Sequence, residues 1–326
     1  MTTSRRLARR GASPDSHLPL PEGMSLRDYP ALFQAADATS LAGQARYKGL
    51  IAWELALLVT GAAFAALATV PALRALALPL QPVLPGLTAF PFLGALAVKL
   101  ANRQRAYDAD WFDGRAVAET VKTQTWRYAM RVAPYDGEAA DRDFGADLNV
   151  VSRARPSLIQ GLDSLPERPR QISPRMRAVR NLPLAARREI YVRARLENQA
   201  EWYRRKAIAH RRAARRWFWA SLVTEALAAL LAVLSVLTPQ EIDDNVVGFL
   251  AAVAASFTAW SQVQRHDELT KSYAVACQEL LGIVTMASDV MSEADLATLV
   301  RDGEAAISRE HTMWVAKRSD RVDLGA

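Results

Sequence analysis

The chain has 326 residues, 51% of them hydrophobic and 23% charged, with a net charge of +7 at neutral pH. That apolar content excludes a disordered chain, and a single cysteine, Cys277, excludes an internal disulfide and fits a reducing compartment. The four histidines, His17, His210, His266 and His311, lack metal-ligand spacing, and no glycine-rich phosphate loop of either common pattern occurs, so no metal or cofactor is expected.

Residues 1–27 read as a disordered basic tail. Its "RRLARR" is followed by "GASPDSHLPLPEGMS", polar and proline-rich where an export signal needs an apolar segment. A polar approach helix then leads into Leu50–Val70, an apolar run carrying one charge, Glu54. The next apolar run, Val83–Lys99, is broken by Pro85 and Pro91. Proline kinks a helix, but membrane helices tolerate it better than soluble ones. A long amphipathic exit helix, Asn102–Met130, closes a first unit spanning residues 28–132.

Residues 133–182, rich in proline, glycine and charge around Ala133–Pro174, read as an irregular linker with little core. A helix is expected to restart at Pro183, since proline suits a first helical turn, and to run unbroken to Leu237. It changes character at Trp217. "EWYRRKAIAHRRAARR" before that point is mostly basic, while Trp217–Leu237 is apolar except for Glu225. As a helix that segment is about 31 Å long, close to the roughly 30 Å of a bilayer core. The short loop Thr238–Asn245 leads to the uncharged run Val246–Val263 and a second exit helix, Ser261–Met286. A last helix begins near Ser292, where Ser292 and Asp295 resemble a capping box. The second unit thus covers residues 183–318, and 319–326 form a tail.

These elements predict an all-α integral membrane protein of two transmembrane helical hairpins with long cytoplasmic helices. The hairpins are about 50–70 with 83–99, and about 217–237 with 246–263. The order of features repeats: approach helix, hairpin, exit helix, with a glutamate early in each first span.

Of the 41 lysines and arginines, 26 lie between residues 99 and 216, and none in the second hairpin loop. Basic residues near membrane segments stay cytoplasmic. Both termini and the middle segment are therefore expected inside, with Glu241, Asp243 and Asp244 facing out. Arg211, Arg212, Arg215 and Arg216 are expected to anchor on anionic lipid, each worth about 1 kcal/mol; pairing of the basic run with acidic helices of a neighbouring subunit is the alternative. Nucleic acid is not expected as a partner.

A carboxylate in the hydrocarbon costs on the order of 3 kcal/mol and usually faces a bundle interior or a water path. Glu225, Ser221 and Thr224, with Glu54, are therefore candidates for lining a pore; a protonated Glu225 bonded to a neighbouring helix is the structural alternative. Four helices enclose little lumen, so a pore requires several copies. Small-residue pairs at Gly61/Ala65 and Gly248/Ala252 permit close helix approach, within the chain or between copies. On the exit helix, Glu119, Lys122, Trp126 and Arg127 form a packing or ligand constellation. On the last helix, Glu310, His311 and Trp314 do the same. Ser308, Glu310 and His311 do not make a triad, because adjacent helical residues point apart.

The stretches "YPALFQAAD", "AETVKTQTWRYAM", "IYVRARLENQAEWYRRKA" and "ISREHTMW" resemble the SLATT family, two-transmembrane domains associated with SMODS nucleotidyltransferases and SLOG domains in bacterial conflict systems. The chain looks like a tandem of two such units from about Tyr29 to Arg318. The resemblance implies a phage-defence membrane effector in the inner membrane, forming a homo-oligomeric pore or perturbing the bilayer. It also implies a trigger from a nucleotide-linked sensor or synthetase on a separate protein. A non-conducting scaffold or receptor presenting its cytoplasmic helices to a partner is the other reading, and an enzyme is not expected.

Overall fold

The computed structural model describes residues 24–69, 84–155, 170–238 and 244–322, and the side chains of 84–85, 244 and 310–322 lie outside that description. Among the described residues the chain is helical, with no strand. In order the helices are α1 (Ala31–Thr69), α2 (Leu84–Arg105), α3 (Tyr107–Ala129), α4 (Ala140–Ala154), α5 (Pro174–Arg180), α6 (Leu184–Leu237), α7 (Asp244–Gln264), α8 (His266–Met286) and α9 (Glu293–Val322). Three helical stretches are long and apolar enough to cross a membrane: Ala31–Thr69, Leu184–Leu237 and Asn245–Asp289. The proline-broken α2, with Pro91 inside it, is not among them.

The helices group into two units. One unit comprises Arg46–Tyr107 and Lys206–Lys271. Its apolar runs turn large side chains outward: Trp53, Phe90, Leu93, Phe218, Trp219, Val233 and Val236 are all exposed. A monomer surface in water rarely shows so much contiguous apolar area, and a bilayer removes the conflict. Within it α1 and α2 run antiparallel. Lys99 pairs with Glu54 at 3.6 Å, a Cβ on Gly94 would meet Leu57 at 3.4 Å, and one on Gly61 would meet the Phe92 ring at 2.8 Å. Gly61 is thus spent on packing inside the chain.

The other unit comprises Met1–Ala45, Asp108–Arg205 and Ser272–Ala326. It holds the buried core, including Leu32, Val121, Trp126, Tyr191, Leu196, Leu280 and Val300. At Gly114 the α3 backbone touches that of α1, where a Cβ would stand 2.8 Å from Ala36 O and Ser40 N. The Ser40 hydroxyl donates to Trp111 O at this crossing.

Several sequence expectations are corrected. The segment read as a linker contains α4 and α5. Phe144 and Leu148 of α4 are buried on one face, four residues apart as a helix requires. Tyr128 and Tyr135 donate to Asp141 and Asp147 at 2.5 and 2.6 Å, which ties α4 to the end of α3. The charges that suggested a linker are the outer face of an amphipathic helix. At the other end, Met24 is completely buried, and Ser25 with Asp28 caps the short turn Leu26–Asp28. The fold therefore starts within what was assigned to the tail.

The long helix from Leu184 to Leu237 is continuous as expected, with a π-helical stretch at Val192–Glu197. The Ser292–Asp295 box also forms: Asp295 N donates to Ser292 Oγ at 3.2 Å, and Ser292 N to Asp295 Oδ2 at 2.9 Å. Neither exit helix is one rod. Each is broken at a single left-handed residue, Ala106 (φ 46°) between α2 and α3, and Arg265 (φ 50°) between α7 and α8. The same turn at matching positions of both repeats is a structural sign of duplication that the weak identity hides.

A left-handed alanine costs about 1 kcal/mol that glycine does not incur. Ala106→Gly should therefore raise the unfolding midpoint in detergent, and Ala106→Val, branched at Cβ, should lower it. Equal midpoints for the two variants would contradict the left-handed turn.

Candidate functional site

Two polar clusters stand out, one in each unit. In the core-bearing unit, α6 and α9 are joined by a buried ion pair. Arg195 donates from Nε to Glu304 Oε1 at 2.9 Å and from Nη2 to Oε2 at 2.7 Å. The two side chains are 2% and 0% exposed. Glu304 also accepts from the Thr123 hydroxyl of α3 at 2.8 Å and from Tyr191 at 3.2 Å. The Trp126 indole donates to Tyr29 Oη at 2.9 Å and its ring packs edge-on to Tyr191. The neighbouring Gly303 makes the approach possible, since a Cβ there would lie 2.5 Å from the Tyr191 hydroxyl oxygen.

Burial pulls the Arg195 pKa down, but the Glu304 carboxylate outweighs it, and the guanidinium is held firmly charged. Burial raises the Tyr191 phenol, and Glu304 adds to the effect. Around this pair Lys122 is lowered by burial against the opposing pull of Glu119, and Asp37 is raised by burial against Arg115 and Lys122. Glu119 is paired with Arg115 at 2.9 Å. Arg195 Nη1 and Arg127 Nε are buried without a hydrogen-bond partner among the described residues.

The four exit-helix candidates thus fall in one polar neighbourhood, but their roles differ. Trp126 is core, 1% exposed. Glu119, Lys122 and Arg127 are partly buried around the Arg195–Glu304 pair. The pair itself was missed. Its residues sit in "YVRARLENQ" and "GEAAIS", where only a buried charge between apolar neighbours hints at it. Glu310, His311 and Trp314 lie on α9, and their side chains are outside the described residues. Among the described residues no group of three metal-ligating side chains converges.

In the apolar-surfaced unit, Glu225 is exposed on α6. Its Oε1 accepts from Ser221 at 2.7 Å, and Ser221 Oγ lies 2.8 Å from Thr258 Oγ1 on α7. Thr224 instead donates to its own helix, to Ala220 O. Glu54 is paired with Lys99 on α2. Thr258 joins the Glu225–Ser221 strip unforeseen. The signal available was its place in the facing run, since Trp217 packs on Phe257 at 5.5 Å between ring centres. Arg211, Arg212, Arg215 and Arg216 are all exposed ahead of Trp217, with Arg216 over its ring. The hairpin-loop acids Glu241 and Asp243 lie outside the described residues, as does the side chain of Asp244.

Two helical repeats in series, each broken by a left-handed turn, at Ala106 and at Arg265, with three helical stretches able to cross a membrane, define a duplicated helical membrane protein. Residues 30–188 match the family model for SMODS and SLOG-associating 2TM effector domain 3, and residues 191–314 match that for SMODS and SLOG-associating 2TM effector domain 1. The chain belongs to the SLATT family, as two such domains in tandem. The boundary, between 188 and 191, places α4 and α5 inside the first domain. No curated protein and no solved structure matches the chain.

Removing one partner of a buried ion pair costs about 3–5 kcal/mol, because the other charge is left in low dielectric. Glu304→Gln should lower the unfolding midpoint sharply. Arg195→Met with Glu304→Leu should recover much of that loss. A double variant less stable than Glu304→Gln would refute this reading, since it leaves no buried charge unpaired.

Proposed function

We propose that the chain is a homo-oligomeric, pore-forming effector of a bacterial defence system. In this reading both helix pairs, α1 with α2 and α6 with α7, cross the inner membrane as hairpins, and both termini and the middle segment are cytoplasmic. The observation that carries it is the strip Glu225–Ser221–Thr258. It is polar and hydrogen-bonded, with Glu225 and Thr258 exposed, and it lies within the otherwise apolar runs of α6 and α7. In hydrocarbon such a strip is costly. Facing its counterparts in other copies, it lines water instead. A Cβ on Gly248, also in α7, would meet nothing within 4 Å, so close approach there is left to another chain.

The core-bearing unit would receive the trigger. The descriptions of both matched families name association with SMODS and SLOG. That supports a nucleotide-linked sensor or synthetase acting in trans, with no chemistry performed by this chain. The scaffold reading draws on one contact: Ser221 already satisfies Glu225 within the chain.

Ion flux from liposomes separates the two. Glu225→Gln should keep assembly and change cation preference, and Glu225→Leu should insert as well or better and block flux. Flux equal to wild type in both variants, at matched protein density, would remove Glu225 from the mechanism.

Orientation is tested independently. On a Cys277→Ser background, Thr238→Cys should react with an impermeant thiol reagent added outside intact spheroplasts, and Glu138→Cys should not. The reverse pattern would invert the proposed topology.

A further inference from the structure

His210 and His266 are far apart in sequence, yet each lies just outside an apolar run on neighbouring helices, and they meet. His210 Nδ1 is 2.9 Å from His266 Nδ1, with ring centres 5.1 Å apart. His266 is 9% exposed, and its Nε2 is buried with no partner among the described residues. It is the first residue of α8 and follows Arg265, the left-handed turn. The contact therefore ties the basic half of α6 to the turn where α7 passes into α8. Among the described residues no third ligand converges on the two imidazoles, as a metal site would require.

We propose that this histidine pair is a proton-operated latch on the turn at Arg265, closed when neutral and released when the pair takes its second proton. Two Nδ1 atoms at hydrogen-bond distance need one donor and one acceptor. The first proton can enter at the donor ring's Nε2 and leave the bond in place. The second must enter at the acceptor's Nδ1, which turns both atoms into donors and both rings into cations.

The surroundings oppose that charge. Lys48 of α1, with Lys206 and Arg216 of α6, faces the pair, and Asp267 beside His266 is the opposing anion. Arg265 is itself paired with Glu268. The positive end of α8 adds to the penalty at His266. Burial, then the neighbouring His266, lowers His210 from its ordinary value to about 4, and burial also lowers His266. Burial and Lys206 push Lys48 down to about 8. With the folded pKa below the unfolded one, the contact is intact above the ordinary histidine range. It weakens as pH falls from about 6.5 towards 4.

Hydrogen exchange of the full-length protein in nanodiscs, at pH 7.5 and 4.5 and corrected for intrinsic rate, reads the latch directly. Amides 265–270 should exchange several-fold faster at pH 4.5 in wild type. They should show no pH response in His210→Gln/His266→Gln, whose side chains do not titrate. His210→Gln alone serves if the double variant fails to assemble, and its response should follow one proton instead of two. An unchanged wild-type profile, or the same response in the variants, overturns the proposal. Loss of the wild-type response on adding a chelator would also overturn it, by assigning the pair to a metal.

Discussion

The core-bearing unit depends on one buried interaction, the bidentate pair of Arg195 and Glu304. It sits beside Gly303, whose missing side chain lets α9 pack closely on Tyr191 and Leu196 of α6. Both charges are nearly sealed from water, and polar neighbours gather on the carboxylate. Thr123 and Tyr191 donate to the carboxylate, and Trp126 braces Tyr191 while its indole is satisfied by Tyr29. Residues from the start of the chain, α3, α6 and α9 are thereby fixed in one register. A buried pair is weak evidence for stability but can specify a unique arrangement, and this unit assembles helices from both repeats.

The apolar-surfaced unit follows a different constraint. Its helices expose leucine, phenylalanine and tryptophan outward, so lipid replaces a core as the source of burial. Under that constraint polar side chains must justify their place. Glu54 does so by pairing with Lys99, within reach of the basic residues flanking the span. Among the described residues Glu225 meets hydroxyls, Ser221 directly and Thr258 through it. The two carboxylates thus have different partners, although they occupy comparable places in the repeats.

Much of this was legible in the sequence because hydropathy and charge report directly on lipid and water. The apolar stretches, the unbroken helix through Trp217 and the Ser292 cap all rest on local chemistry. The tandem was carried by resemblance in four short stretches. What was not legible needs tertiary pairing. The α4 helix was hidden because charges on its outer face outweighed Phe144 and Leu148 in a linear reading. The left-handed turns at Ala106 and Arg265 carry no glycine to announce them. Arg195 with Glu304, and His210 with His266, are separated by long stretches of chain, so neither pair has a spacing to detect. Glu119 and Lys122 were legible as a constellation on one helix, but the buried charge they surround, Arg195, was not.

Reconstituted conduction tests the central claim most directly. Purified full-length protein in a planar bilayer should give discrete current steps that favour cations, with activity rising more steeply than linearly with protein density, as assembly from several copies requires. A silent bilayer at densities where the protein is demonstrably inserted and oligomeric would contradict the pore and leave the non-conducting scaffold.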